Sequence, residues 1–143
     1  MGNITKNFSF SEFEHSDTAI REGIENKIPS AEVGGAIRSL TVKVLQPLRD
    51  DLGATVIVES GYRCKELNAL VGGVETSQHR KGEAADIRSP FFVPLHIARR
   101  IVALKLPFDQ LILYPTFVHV SHRRKGRQRG QVLYNYRYTG EKI

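Results

Sequence analysis

The sequence predicts an α+β fold in which N-terminal helices pack on a small antiparallel sheet. Apolar residues recur at helical spacing early in the chain, whereas short strand-like segments separated by turn residues follow later. The length of 143 residues suits one core, so we expect residues 1–143 to form a single domain. Hydrophobic residues form 41% and charged residues 25% of the chain, and these globular proportions exclude a disordered protein.

Two short helices are predicted near the N-terminus. The pairs Ser9–Glu12 and Ser11–Glu14 have the spacing of a capping box, which predicts a helix that begins near residue 10. A second helix is predicted over residues 18–27, where the Ile28–Pro29 pair ends it.

A long amphipathic helix is predicted over residues 30–52. Its apolar residues recur mostly every three or four positions, which places them on one face against a core. Pro47 lacks a backbone donor and should kink this helix, and Gly53 stands where a C-terminal cap glycine belongs. The apolar residues of that face are Ile37, Leu40, Val44, Leu45, Leu48 and Leu52.

The rest of the chain is predicted to supply the strands and one further helix. Glycines punctuate residues 61–82, where we expect loop and little regular structure. Residues 114–116 are expected to form a tight hairpin turn, and Tyr134, Tyr136 and Tyr138 alternate on one face of the last strand. The predicted elements are strands at 55–59, 111–113, 117–120 and 131–138 and a helix at 93–104.

The net charge of +6 is concentrated in residues 122–143, termed the basic segment. This segment holds seven lysines and arginines against one acid, Glu141, whereas the preceding 121 residues are balanced. A basic segment of this kind favours polyanions such as nucleic acid, anionic lipid or the phosphate- and carboxylate-bearing polymers of a cell wall. The alternative is a solvated hairpin whose charge only keeps the chain soluble.

Several classes of protein are excluded by simple counts. No segment approaches the roughly 20 consecutive apolar residues of a membrane span, and residues 1–16 lack the apolar block of a secretory signal. Because Cys64 is the single cysteine, neither an internal disulfide nor a cysteine zinc site can form. We therefore expect a small soluble domain.

The segment from Ser77 to Asp86 carries the residues with metal-binding chemistry. It contains His79 and, seven positions later, Asp86, and a second histidine, His119, lies in a predicted apolar strand. Two imidazoles and one carboxylate are the ligand set of a catalytic zinc site with a fourth position open for water. Zinc lowers the pKa of such a water toward about 7. The spacing by itself leaves a packed core histidine as the alternative for His119.

Three motifs in order resemble those of the D-alanyl-D-alanine carboxypeptidase-like zinc peptidases. Residues 77–86 match the pattern Ser-x-His-x-x-Gly-x-Ala-x-Asp at every fixed position. Ser60–Gly61–Tyr62–Arg63 looks like the family's Ser-Gly-Tyr-Arg motif, and residues 117–121 are similar to its aromatic-x-His strand. The likeness runs from about residue 8 to residue 134 and implies the fold that hedgehog proteins and these peptidases share.

The resemblance implies a role for each matching residue. Arg63 is expected to bind substrate and to reach the substrate carbonyl or the developing oxyanion. Ser77 is expected to hold substrate backbone or carboxylate, and Ser121 is a further candidate substrate contact. From the residues alone, a surface ion pair for Arg63 and a loop-capping hydroxyl for Ser77 stay open. The residues implied as ligands of one zinc ion per chain are His79, Asp86 and His119.

The sequence departs from the family at the general base. Members generally carry a glutamate shortly before the last histidine, whereas this chain has Tyr114 where many relatives have that residue. Asp109 is the nearest acid upstream, but alternation places it on the side of the core-facing Leu111 and Leu113. It would act as a catalytic base only if a bulge redirected it. Further candidates for the base are Glu59, Glu83 and His122.

The resemblance implies a zinc peptidase that hydrolyses an amide involving a D-amino acid in peptidoglycan stem peptides. Small members of this kind are often phage or prophage lytic enzymes, made in the cytoplasm and acting on the wall after release, and we expect a monomer. The alternative, favoured by the missing glutamate, is a zinc-containing pseudoenzyme that binds the cell wall or a protein partner without cleavage. Specific nucleic-acid binding is not expected, because no groove-reading motif is present.

Overall fold

Helices cover one face of a five-stranded sheet. The computed structural model describes residues 2–143, and the predicted α+β class is confirmed. The helices are α1 (Phe10–Glu14), α2 (Asp17–Glu22), α3 (Ala31–Leu40), α4 (Gln46–Leu52), α5 (Lys65–Leu70) and α6 (Pro94–Ala103). The strands are β1 (Asn3–Thr5), β2 (Phe8–Ser9), β3 (Ile57–Ser60), β4 (Ala84–Arg88), β5 (Gln110–Leu113), β6 (Val118–Ser121) and β7 (Gln131–Tyr134).

The strands of the large sheet run in the order β3–β4–β6–β5–β7. The first four pair antiparallel, as predicted, whereas β7 pairs parallel to β5 with Val132 opposite Leu111. Because the chain reverses after β6 and returns beyond β5, β7 runs antiparallel to β6 and therefore parallel to β5. The sheet is thus mixed, and its order places β4 and β6 side by side in the interior.

The core lies between this sheet and a long helical run over residues 31–52. A π-helical turn at Thr41–Leu45 joins α3 to α4. It ends two residues before Pro47, which lacks the N–H that a regular α-helix needs, so the predicted irregularity takes the form of a wider turn. Gly53 closes the run in the left-handed conformation, as predicted. The apolar residues predicted for its buried face are all in the core.

Five elements lie outside those that the sequence predicts. β4 crosses the interior of the sheet with four of its five residues buried. A strand buried on both faces shows no alternation of apolar and polar residues, so its sequence gives no strand signal. The expectation of loop over residues 61–82 is wrong for α5 and for a 3-10 turn at Gln78–Lys81. The small N-terminal hairpin of β1 and β2 completes the set.

Two predicted elements are shorter in the structure. β7 ends at Tyr134, because the chain turns immediately after it. The rings of Tyr134 and Tyr138 stack with centroids 5.8 Å apart, whereas Tyr136 is 83% exposed, so the three tyrosines do not share one strand face. α2 ends at Glu22, since Gly23 adopts the left-handed conformation that terminates a helix.

Candidate metal centre

Three potential metal ligands meet on the face of the sheet opposite the helical core. Asp86 on β4 and His119 on β6 are directly opposite each other in the antiparallel register. Their neighbours Ala85 and Val120 belong to the core, so alternation turns the two ligands to the other face. His79 reaches the same place from the 3-10 turn. The structure therefore brings together the three residues predicted as ligands.

The donor atoms of this ligand group are spaced for one small cation. His79 Nε2 lies 3.3 Å and His119 Nδ1 lies 3.0 Å from the same Oδ1 of Asp86, and the three donors lie within 4.8 Å of one another. Two ligands that hold a tetrahedral zinc ion at about 2.0–2.2 Å are themselves about 3.3 Å apart. The chemistry and the spacing of the donors therefore fit zinc.

Gly61 fixes the orientation of His79. The Nδ1–H of His79 donates to the Gly61 carbonyl at 2.7 Å, so the lone pair of Nε2 faces Asp86. A histidine held in this way is oriented for a metal before the metal binds. Gly61 has no room for a side chain, because a Cβ there would lie 2.7 Å from the backbone of Phe13. The glycine of the Ser-Gly-Tyr-Arg motif thus helps to orient His79, one of the three ligands.

The 3-10 turn that carries His79 is built by the fixed positions of its own motif. Ser77 Oγ accepts the backbone N–H of His79 at 3.2 Å and caps the turn. Gly82 ends the turn at a φ of 75°, a left-handed conformation that favours glycine. A Cβ at Gly82 would also lie 2.7 Å from the Val33 carbonyl, so the turn can pack against α3 only with glycine there.

Asp86 keeps its negative charge although it is buried. Burial raises the pKa of its carboxyl, but hydrogen bonds from His119 and His79 outweigh this effect and hold the pKa of Asp86 well below its usual range. An ionised carboxylate beside two imidazoles is the state that a bound cation requires.

Arg63 lies beside the ligand group. Its Nη2 is 3.4 Å from Asp86 Oδ2, and its backbone N–H donates to the His79 carbonyl at 3.1 Å. Nε donates to Ser60 Oγ at 3.1 Å, and Nη1 donates to Asn68 Oδ1 at 3.4 Å. Burial lowers the pKa of the guanidinium, while the negative charge of Asp86 opposes that shift. A cation is therefore held in one place at the edge of the metal centre.

A comparison with protein-family models agrees with this geometry. The model of peptidase M15 matches residues 6–121. This chain belongs to the peptidase M15 family. These are zinc peptidases of the D-alanyl-D-alanine carboxypeptidase-like kind, so the resemblance noted in the sequence is confirmed. The matched range contains the ligand group and Arg63 and ends before the basic segment. No curated protein matches the chain.

Tyr114 stands on the ligand side of this peptidase M15 fold. It directly follows Leu113, whose side chain is in the core, and its ring stacks on Phe117 with centroids 4.3 Å apart. Burial and the negative charge of Asp86 raise the pKa of Tyr114, while Arg63 opposes them. The phenol therefore stays protonated at neutral pH and can donate a hydrogen bond to a bound group, but it is a poor acceptor of a proton.

Asp109 does not belong to the ligand group of the M15 site. It is fully buried, and its Oδ2 lies 2.8 Å from Arg129 Nη2 and 3.2 Å from Arg123 Nε. Burial raises the pKa of its carboxyl, but hydrogen bonds from Arg129 and the charge of Arg123 outweigh this and lower the pKa of Asp109 to about 2. The prediction of a catalytic role for Asp109 is therefore corrected, because this carboxylate is committed to a structural ion pair.

The two serines predicted as substrate contacts differ in accessibility. Ser121 is fully buried, and its Oγ accepts the backbone N–H of Gln110 at 3.0 Å. Substrate does not reach a buried hydroxyl, so that prediction is corrected. Ser77 is half-buried and makes the cap described above. The capping role is what the structure shows for Ser77, and its contact with substrate stays a prediction.

Two of the further candidates for a base are occupied elsewhere. A carboxylate oxygen of Glu83 accepts the backbone N–H of Arg124 at 3.0 Å. His122 is 3% exposed, and its ring nitrogens contact the Ser39 hydroxyl at 3.1 Å and the Pro107 carbonyl at 2.5 Å. These contacts give both side chains structural roles.

Glu59 is the remaining candidate, and it lies in a cleft that Arg63 also lines. Its carboxylate is 2.7 Å from Arg88 Nε, and about a third of the side chain is exposed. Glu59 therefore combines a negative charge with access from solvent on the side of Arg63.

Two buried asparagines support Arg63 without a sequence signal. Asn68, which accepts from the Arg63 guanidinium, is 2% exposed and donates to the Val74 carbonyl at 2.8 Å. Asn26 donates to the Tyr62 carbonyl at 2.9 Å and accepts the backbone N–H of Cys64 at 2.8 Å. Asparagine is common in polar loops, so only these contacts show that the two residues fix Arg63.

Proposed function

We propose that this chain is a zinc-dependent peptidase that cleaves an amide involving a D-amino acid in peptidoglycan stem peptides. Membership of the peptidase M15 family supports metallopeptidase activity on a peptidoglycan-type substrate. The observation that carries the proposal is the ligand group His79, Asp86 and His119 with Arg63 only 3.4 Å from the Asp86 carboxylate.

A cleft beside Arg63 offers room for a peptide. Its volume is about 540 Å³, and its walls come from β3, the start of α2 and α5. Glu59 and Arg88 form an ion pair on one wall, while Leu67 and Val71 supply an apolar side. A cleft with both charges and an apolar wall suits a short peptide that carries amino and carboxylate groups, as stem peptides do.

The chain's own residues can stabilise the charge that develops during amide hydrolysis. Zinc held by the ligand group would polarise the scissile carbonyl and acidify a bound water. Arg63 would donate hydrogen bonds to the carbonyl oxygen as its negative charge grows. Because Ser60 and Asn68 already hold the guanidinium, little reorganisation is needed. Tyr114, a protonated phenol, would donate a further hydrogen bond to the same region.

The acceptor for the water proton is the one catalytic role that the resemblance to the family leaves without a matching residue. We propose that Glu59 assists as the proton acceptor, since its side chain is partly exposed to solvent and shares the cleft with Arg63. Turnover that is slow for this chemistry is expected, because the ion pair must loosen before the carboxylate can take a proton.

A second candidate function is binding of the cell wall or of a protein partner without cleavage. Within residues 2–143, Asp86 is the one carboxylate in the ligand group, and it is itself a ligand. A zinc site with no dedicated base would keep affinity for a peptide while losing most of its turnover.

The biological setting proposed for the enzyme is lysis of the cell wall by a phage or prophage. In this setting the chain is made in the cytoplasm, acts on the wall after release and works as a monomer. The basic segment supports the proposal, because bacterial walls are rich in anionic groups.

Within residues 2–143, no helix has both the length and the apolar character needed to cross a membrane.

Digestion of purified peptidoglycan tests the proposed activity. Zinc-loaded protein should release peptide fragments, detected by mass spectrometry together with new amino and carboxyl termini. A chelator should stop the release, added zinc should restore it, and His119→Ala should be inactive throughout. If the wild type sediments with every wall type tested but releases no fragment, the binding function replaces the peptidase.

A further inference from the structure

A second cavity lies behind the 3-10 turn that carries His79. Its volume is about 620 Å³, and its walls are the start of α3, the turn itself and the first part of the basic segment. Gln78 and Arg80, the neighbours of His79, line it, whereas the three metal ligands do not. Glu83, which also lines it, directly precedes β4 and is three residues from Asp86.

The lining of this cavity is strongly cationic. It contains six lysine and arginine side chains against two carboxylates, those of Glu32 and Glu83, which leaves a net charge of +4. The start of α3, a helix of ten residues, adds the positive end of its dipole. The six cations are Arg80, Lys81, Arg123, Arg124, Lys125 and Arg129.

Most of these cations have no acidic partner within residues 2–143, although Arg80 Nη1 donates a hydrogen bond to the Glu75 carbonyl at 2.9 Å. Arg123 and Arg129 pair with the buried Asp109. The other four make no ion pair with any residue from 2 to 143. In the same part of the chain, Arg80 Nε is the one buried side-chain nitrogen or oxygen without a hydrogen-bond partner. A concentration of cations without acidic partners around one cavity creates a positive potential that favours an anionic ligand.

The side chains that line the cavity limit which class of anion it can bind. No aromatic side chain lines the cavity, so it lacks the aromatic platform on which single-stranded nucleic acids usually stack their bases. The cations project from separate walls, with Arg80 and Lys81 on the turn and Arg124 and Lys125 on the basic segment. Phosphate oxygens accept from Arg forks and from Lys ammonium groups alike, so cations on separate walls can each contact a different phosphate of one polymer.

We propose that this cavity binds a linear polymer with phosphodiester groups and no bases, at a site separate from the peptide-binding cleft. The inference does not depend on the proposed peptidase activity, because it rests on the cations and not on the metal. In a wall-directed protein, such a site would hold the chain on an anionic polymer while the metal centre faces the stem peptides.

Binding of synthetic poly(glycerol phosphate) tests the proposal. Fluorescence anisotropy with the labelled polymer should show saturable binding by the wild type that weakens as salt increases. Lys81→Gln/Arg124→Gln/Lys125→Gln should weaken this binding at least about ten-fold, since each exposed ionic contact contributes up to about a factor of five. All three side chains are exposed, so the variant should fold, and its circular dichroism and melting temperature verify this.

A matched variant controls for net charge. Arg21→Gln/Lys43→Gln/Lys27→Gln removes the same charge from exposed positions outside the cavity and should change the affinity less than two-fold. Equal weakening by both triple variants would overturn the proposal, because it would mark a diffuse charge effect. Equal affinity for poly-L-glutamate of the same charge would overturn the assignment to phosphodiester groups, and equal affinity for oligodeoxythymidylate would overturn the assignment to a polymer without bases.

The same titration with His119→Ala separates this inference from the proposed peptidase function. His119 lies outside the cavity, so the variant should bind the polymer with wild-type affinity while it releases no peptide fragments. Loss of polymer binding in His119→Ala would overturn the claim that the two sites are independent.

Discussion

Asp86 and Asp109 are two buried aspartates with opposite roles. Both are at most 8% exposed, and in both hydrogen bonds and opposite charges hold the pKa of the carboxyl below its usual range. Besides Arg63 at 3.4 Å, the partners of Asp86 are two imidazoles, whose nitrogens can bind a metal together with the carboxylate. The partners of Asp109 are arginines, which keep their charge and saturate the carboxylate. The chemistry of the partners, not burial, therefore decides which carboxylate can hold a metal.

Replacement of each aspartate by asparagine should separate the two roles most strongly. Asp86→Asn removes the charged ligand, so zinc should fall from about one ion per chain towards zero and peptidase activity should disappear. Asp109→Asn should keep both, because Asp109 contacts none of the three ligands. Metal analysis and peptidoglycan digestion measure the outcome. Loss of zinc from a folded Asp109→Asn protein would contradict the distinction.

Replacement of Arg63 should have the next largest effect on peptidase activity. Arg63→Ala should lower turnover by about two to three orders of magnitude, the usual effect of removing one donor to a developing oxyanion. Zinc content should stay unchanged. Arg63→Lys should recover only part of the rate, because an ammonium group cannot reproduce the guanidinium fork. If Arg63→Ala lost stability and activity in equal measure, Arg63 would be a structural partner of Asp86, as Arg129 is of Asp109.

Tyr114 is expected to have a smaller influence. Tyr114→Phe removes one neutral hydrogen-bond donor and should slow hydrolysis by up to about ten-fold. Tyr114→Glu should hold or raise the rate, because it places a carboxylate where the resemblance to relatives puts the base. Initial rates on one purified peptidoglycan, compared at equal zinc content, provide the measurement. An unchanged rate in Tyr114→Phe would show that the Tyr114 hydroxyl takes no part in hydrolysis.

Asp109 should affect acid stability rather than activity. Its folded pKa of about 2 lies below the ordinary 3.8, so its ionised form stabilises the fold above pH 4 and this contribution is lost as the pH falls towards 2. The difference in unfolding free energy between wild type and Asp109→Asn should therefore be about 2 kcal/mol larger at pH 5 than at pH 2. Denaturant titrations of both metal-free proteins measure it, and a pH-independent difference would refute this origin.

The metal ligands can be predicted from the sequence because they lie in motifs that resemble those of the family, and short-range geometry shapes the half of the site around His79. The cap at Ser77 and the left-handed Gly82, which bound the turn of His79, are encoded locally, whereas the strand that follows shows no local signal. Strand alternation also places Asp109 on the buried side, where the structure has it. These inferences need only the period of a strand and the preferences of single residues.

The partners across the sheet cannot be predicted in this way. Arg129 meets Asp109 only because β7 returns parallel to β5, and no local pattern specifies that return. Asn68 and Asn26 act through contacts that depend on how three separate loops pack. Ser121 matched a motif, yet its burial depends on the neighbouring strands. Long-range packing decides each of these cases.

The direct pairing of β4 with β6 limits how the metal preference of this site can change. Asp86 and His119 share one register position, and a slip of one residue would turn His119 into the core and bring a valine to the ligand face. The two strand positions therefore either supply both ligands or fail to do so, and they allow no small adjustment of the distances between ligands. Small shifts in ligand distance can come only from the turn at residues 78–81. Diversification towards a different ion would begin in that turn, while changes in the two strands would abolish the site.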